Sequence, residues 1–189
     1  IRQTFRALLC PGDHVILDSD AHPAMFETVL LAKAQPHRSP AGSVEGVERR
    51  LIRLSRLPQR GRLVIALPAV STYGSRIADL AELSALTRQY GALLIVDVTH
   101  DLGAMGPRGG GVAEIQACQG RVDVLLGSLA RTFGAAGGFA AFRDPGPAGP
   151  GGTGPGGTGT GGTGTAGPSG PPDQRRRGGP SRRTLAAAA

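Results

Sequence analysis

The sequence predicts an α/β fold on a mainly parallel sheet, and three observations predict it. Short apolar runs alternate with longer amphipathic stretches as far as residue 143, the order expected of βαβ units. The apolar runs are rich in Val, Ile and Leu with no polar alternation, as strands buried on both faces must be. Gly and Pro clusters punctuate the joins. Taken in order, residues 1–9 read as the end of a helix closed by the Cys10-Pro11-Gly12-Asp13 turn. Strands are predicted over 14–18, 62–67, 93–97, 122–127 and 138–142. Helices are predicted over 23–34, 44–55, 78–90 and, on a weaker pattern, 112–117. The third carries Leu80, Leu83, Leu86 and Tyr90 near one stripe, and Gly91 supplies its stop. Residues 35–40 read as a short edge strand, because Pro36 and Pro40 are incompatible with a central one.

Composition sets the domain boundary. From Asp144 onward 23 of 46 residues are Gly or Pro, too many to bury a core against chain entropy, so 1–143 is the expected domain and 144–189 an expected disordered tail. Gly-Gly-Thr-Gly recurs there at 151–154, 156–159 and 161–164. A linker is one reading of this tail; a decayed or out-of-frame end is the other, suggested by 20 Arg against the single lysine Lys33 and by the abrupt change after Arg143. A stretch of 143 residues is short for an enzyme with a large cofactor and two substrates, so it reads as part of a larger domain. No apolar run reaches membrane-spanning length and no charged-then-apolar leader follows Ile1; a cytoplasmic protein is expected.

The net charge of +7 concentrates its only basic cluster in the tail, at Arg175–Arg177 and Arg182–Arg183. With 4% aromatic residues and no Trp, a base-stacking nucleic-acid surface is disfavoured. Cys10 and Cys118 have no metal-ligand spacing and read as reduced structural thiols. His14, Asp18 and His22 recur every fourth residue, but a strand and a turn do not place them on one face, so no metal site is expected.

Open parallel sheets place ligands at the carboxyl ends of their strands. The polar residues expected there are Asp18 to His22, Ser71 to Gly74, Asp97 to His100 and Gly127 to Arg131. Asp97 ends the most apolar strand, where a carboxylate is costly unless it meets a cation or several donors. Two readings stay open for it: partner to a protonated heteroaromatic nitrogen, or cap of the following loop. The segment 127–138 combines hydroxyls, Arg131 and several glycines after a strand, suited to a phosphate, yet it lacks the Gly-Lys-Ser/Thr ending of a Walker loop.

The ordered set Asp18…His22, Ser71…Gly74, Val96-Asp97-Val98-Thr99-His100, Gly106-Pro107-Arg108-Gly109-Gly110-Gly111, Val122-Asp123 and Gly127-Ser128-Leu129-Ala130-Arg131-Thr132-Phe133-Gly134 resembles the large domain of fold-type-I pyridoxal-phosphate enzymes. It is nearest the class I/II aminotransferase-like group and its α-oxoamine synthase branch, which includes 8-amino-7-oxononanoate synthases and serine palmitoyltransferases. The resemblance covers about residues 5–142 and implies a three-layer α/β sandwich with pyridoxal 5′-phosphate as cofactor. It implies a transferase acting on an amino acid, with transamination or acyl transfer from acyl-CoA both open. It places Asp97 at the pyridine nitrogen, His100 and Ser71 near the ring oxygen, and Ser128 at the phosphate. His22 falls at the histidine of an Asn-His-Ala-Ser segment whose neighbours are replaced by Ala21, Pro23 and Ala24.

Arg131 occupies the position of the Schiff-base lysine. A guanidinium stays protonated and forms no imine, so the chain is expected to be inactive as written. The resemblance also implies a subunit pairing, either with itself as a homodimer or as a non-catalytic partner of a lysine-bearing paralogue.

Overall fold

The computed structural model describes residues 1–58 and 61–144; the Gly/Pro-rich tail from residue 145 lies outside the described residues. The elements are α1 (Arg2–Leu8), β1 (His14–Asp18), α2 (Pro23–Leu31), β2 (Gln35–Ser39), α3 (Val44–Ser55), β3 (Leu63–Pro68), α4 (Leu80–Tyr90), β4 (Ala92–Asp97), α5 (Gly111–Ile115), β5 (Val124–Ser128) and β6 (Gly138–Phe142). A single 3₁₀ turn, Gln119–Arg121, precedes β5. The strands form one sheet in the order β2-β1-β3-β4-β5-β6, parallel throughout except for the β5–β6 pair.

Successive side chains of a strand leave opposite faces of the sheet, and this alternation builds three layers. On one face Ile16, Leu63, Ile65, Leu67, Leu94 and Val96 pack against Leu51 and Leu54 of α3, Leu80 and Leu83 of α4, and Val112 of α5. On the other, Val15, Leu17, Val64, Ala66 and Ile95 pack against Phe5 of α1 and Met25 and Val29 of α2. With both faces covered, β1 and β3 are buried at every position, which is why their sequences show no polar alternation.

Helix ends follow local chemistry. Ser43 caps α3 by accepting from the Gly46 amide, and Asp79 caps α4 by accepting from the Glu82 amide, which sets its start at Leu80 rather than at residue 78. Gly91, in the left-handed region, closes α4. Helix α2 stops at Leu31, three residues short of its predicted end, because Lys33 adopts φ +57°. There the Lys33 amide donates to Leu30 O and the Ala34 amide to Val29 O, a Schellman closure built on a lysine instead of glycine. Strand β2 lies at the sheet edge, as Pro36 requires, and ends at Ser39, just before Pro40.

At the amino end of the sheet, Asp13 joins three segments. Its carboxylate accepts from the Cys10 amide, the Arg62 amide and the Arg62 guanidinium, and it is almost fully buried. Arg62 also donates to Leu8 O, so α1 is tied to the start of β3.

Candidate active site

The carboxyl ends of β1, β3, β4 and β5 surround a cleft of about 310 Å³ lined by Asp20, His22, Pro68, Thr72, Asp97, Thr99, His100, Ser128, Ala130 and Arg131, with Ile1 at its side. That volume falls at the lower end of the range for small-molecule sites. Five of the six residues singled out in the sequence meet here: His22, Asp97, His100, Ser128 and Arg131. The sixth, Ser71, does not line the cleft; its hydroxyl donates to Asp20 and accepts from the Gly74 amide.

Asp97 is buried at the end of β4 and fills the loop-capping role, one of the two that its sequence left open. Its Oδ1 accepts from the Thr99 amide, at 3.0 Å, and from the Thr99 hydroxyl, which caps the loop. Its Oδ2 has no hydrogen-bond partner among the described residues, although the residue lines the cleft. A half-satisfied carboxylate at the end of a buried strand is poised for a cationic donor on a ligand. Thr99 relays the arrangement to β5, because its hydroxyl also accepts from the Ser128 amide at 3.0 Å.

His100 follows on the same loop, with Nε2 3.3 Å from the Thr72 hydroxyl. Asp101 beside it is fully buried: Oδ2 accepts from the Val112 amide at 2.8 Å, while Oδ1 has no partner among the described residues. Burial pushes the Asp101 carboxyl above its ordinary range, with the Val112 amide working against it. Gly111, at φ +72°, lets this loop close, since a Cβ there would overlap the Asp101 carboxylate.

His22 has a structural task as well. Its Nδ1 accepts from the Ala24 amide at 3.1 Å and so caps α2, while the ring lines the cleft. Asp18 works below the cleft rather than in it: it is buried and accepts from the Asp20 and Gly42 amides, both at 2.7 Å, tying two loops together. His14 stacks on His37 at the far end of β1, away from His22. No group of three or more metal-ligating side chains forms among the described residues.

On the β5–β6 side, the Ser128 hydroxyl accepts from the Ala130 amide at 3.2 Å and lies 3.4 Å from Gly137 O. Arg131 is exposed on the cleft wall. Lys33 stands at the opposite end of the sheet, where its carbonyl accepts from the Gly12 amide ahead of β1. The length of β1 alone puts roughly 13 Å between that lysine and the cleft. Of the two free thiols, Cys10 is exposed and Cys118 is buried, and burial raises the Cys118 thiol.

Thr72, Thr99 and Asp20 fall within the strand-end clusters that the sequence marks, although none of them is named there with a role of its own. Each sits within four residues of one that was, at the end of a strand, and that position was the available signal.

The model of the family "Aminotransferase class I and II" matches residues 1–146. The chain belongs to this family. Serine palmitoyltransferase of Sphingomonas paucimobilis is 34% identical over 134 residues, covering 71% of this chain and 31% of the relative. An 8-amino-7-oxononanoate synthase of Anaeromyxobacter sp. is 36% identical over 135 residues, covering 71% of this chain and 33% of the relative. Among solved structures, serine palmitoyltransferase of S. paucimobilis with a bound PLP–myriocin aldimine superposes with a TM-score of 0.68 at 32% identity, covering 75% of this chain and 35% of that one. The Sphingomonas wittichii serine palmitoyltransferase gives 0.69 at 31% identity. The chain therefore spans about a third of the length of the relatives it matches. The α-oxoamine synthase relatives and the three-layer, mostly parallel architecture agree with the resemblance drawn from the motifs. No helix among the described residues is long and apolar enough to cross a membrane.

Proposed function

We propose that this aminotransferase-family chain holds pyridoxal 5′-phosphate non-covalently in the cleft and does not by itself turn over an amino acid. The observation that carries the reading is Asp97: a buried carboxylate with one oxygen fixed by Thr99 and the other unpaired in a cleft of small-molecule size.

The side chains present fit the cofactor in part. Asp97 would hold the proton on the ring nitrogen, His100 and Thr72 would face the ring oxygen, and Ser128 with the amides of its glycine-containing loop would take the phosphate. When bound, the protonated ring supplies an electron sink. They do not fit a covalent attachment. Arg131 forms no imine, and Lys33 is at the wrong end of the sheet. Without a lysine in the cleft, the bases left there are the imidazoles of His22 and His100, the first tied to the Ala24 amide.

The decisive variant is Asp97→Asn, which keeps the Thr99 cap but cannot hold the ring-nitrogen charge. Equilibrium dialysis of pyridoxal phosphate should show affinity falling at least about tenfold with the thermal melt nearly unchanged. Equal affinity in both proteins would sink the reading. Arg131→Lys should create a borohydride-reducible link mapped to position 131, where the parent chain shows none.

A second reading, a non-catalytic subunit of a lysine-bearing paralogue, is favoured by β6, which ends the sheet among the described residues and exposes Phe142 to 60%. Stable co-purification with such a paralogue, lost on Phe142→Asp, supports it; monodisperse monomer in the paralogue's presence removes it.

A further inference from the structure

We propose that Arg131 is the anchor for a substrate carboxylate, so that the cleft binds the phosphorylated pyridine ligand already joined to an amino acid more tightly than the free aldehyde. The inference rests on the pyridoxal-phosphate reading above and adds which form of that ligand this chain prefers.

The first support is the state of the guanidinium. Arg2, Arg62, Arg76, Arg108 and Arg143 each pair with a carboxylate, and most other described arginines lie without an ion pair away from the cleft. Arg131 has no ion pair or hydrogen bond among the described residues and, alone among the described arginines, lines the cleft. The second is that the acids of the same wall are turned elsewhere. Asp20 is held by Ser71 and by Arg76 at 3.4 Å, and Asp97 is held through Oδ1 by Thr99. The cleft wall thus carries both a cation and a carboxylate oxygen, neither of them paired among the described residues. A ligand that satisfies both carries a protonated ring nitrogen at one end and an anionic group at the other.

Chemistry selects the anion. An aldehyde is captured by an uncharged amine, and no side chain lining the cleft supplies one, so the free aldehyde gains nothing from Arg131 beyond a single hydrogen bond. An amino acid condenses with that aldehyde in solution. Its nitrogen bonds to the aldehyde carbon, the aldehyde oxygen leaves as water, and no electrons are transferred. The product carries a carboxylate whose two oxygens match the guanidinium fork, a pairing that a lysine ammonium cannot reproduce. The phosphate already has a place in the hydroxyl- and amide-bearing Ser128 loop. Arginine at position 131 therefore changes which ligand is held as well as removing the amine.

The test uses the full chain and three stable probes made by reduction: N-phosphopyridoxyl-L-alanine, N-phosphopyridoxylethylamine, which lacks the carboxylate, and N-pyridoxyl-L-alanine, which lacks the phosphate. Titration calorimetry should show the first binding at least about tenfold tighter than the second. Arg131→Gln, at an exposed position, should melt as the parent does and shrink that difference to within about twofold, leaving the ethylamine probe unaffected. It should also weaken N-pyridoxyl-L-alanine. Equal affinity of the parent for the first two probes overturns the proposal. So does an Arg131→Gln protein that loses affinity for both phosphorylated probes while holding N-pyridoxyl-L-alanine unchanged, which would assign Arg131 to the phosphate. If both phosphorylated probes bind equally and Asp97→Asn weakens them, the cofactor reading stands and only the Arg131 assignment falls. If no probe binds the parent or Arg131→Lys, both fall together.

Discussion

The two ends of one sheet use their aspartates in opposite ways. At the amino end, Asp13 meets the Cys10 amide, the Arg62 amide and the Arg62 guanidinium, and both of its oxygens are engaged. At the carboxyl end, Asp97 is buried almost as deeply but has one oxygen tied to Thr99 and the other unpaired. A satisfied buried carboxylate holds chain segments together. The difference teaches that burial does not by itself separate a structural acid from one open to a ligand: what marks Asp97 is an unengaged oxygen on a residue that lines the cleft, whereas Asp101, also buried with one oxygen unengaged, does not line it.

The largest effect that tests the contrast is on stability. Asp13→Ala strips the acceptor from two backbone amides and a guanidinium, and should cost about 3 kcal/mol in denaturant unfolding. Asp97→Asn should cost less than about 1 kcal/mol while weakening ligand binding, because the Thr99 cap survives. If the two substitutions destabilise equally, the division of labour between the ends is wrong.

The next effect is on pH dependence, where the contrast is one of sign. Burial raises the Asp13 carboxyl, but the Arg62 side chain and the Cys10 and Arg62 amides together outweigh it and hold it below the ordinary value. A depressed folded value means stabilisation present above the ordinary carboxylate range and lost as pH falls through the folded value. The stability gap between the parent and Asp13→Asn should therefore be full near neutrality and close below about pH 4. Asp18, on the site side, runs the other way: burial raises its carboxyl despite the Gly42 and Asp20 amides. Its ionisation thus lowers stability as pH rises from the ordinary value through the raised one. Urea midpoints measured from pH 3 to 7 on the parent and Asp13→Asn check the Asp13 sign; a gap that widens in acid would overturn it.

Much of the fold was legible because burial on both faces leaves a plain signature. The runs at 14–18, 62–67 and 93–97 and the amphipathic 44–55 needed no tertiary knowledge. The end of α2 was hidden because the left-handed residue that closes it is Lys33, with no glycine to announce the stop. The direction of β6 was not specified, although nine residues between β5 and β6 are too few for a parallel crossover and that count was in the sequence. At the site, Asp97 and His100 stood out as polar residues after an apolar strand. The turn of Ser71 toward Asp20, 51 residues away, depends on how two loops meet in space, which local pattern does not encode. The meaning of Arg131 came from resemblance alone, since an exposed arginine in a loop has no signature of its own.

The smallest effect concerns the single lysine, which sits at the satisfied end and serves backbone geometry. At φ +57° its Cβ is strained, and the Schellman closure it makes is one that glycine makes without strain. Lys33→Gly should therefore raise stability by about 0.5 kcal/mol, the relief of strain being partly offset by the greater freedom of glycine in the unfolded chain. The same substitution removes the last side-chain amine from the protein. If the amino end of the sheet is structural and the carboxyl end holds the ligand, affinity for N-phosphopyridoxyl-L-alanine should not change. A loss of affinity would mean that a residue beyond the length of β1 from the cleft reaches the ligand, and the separation of the two ends would fail at its most sensitive point.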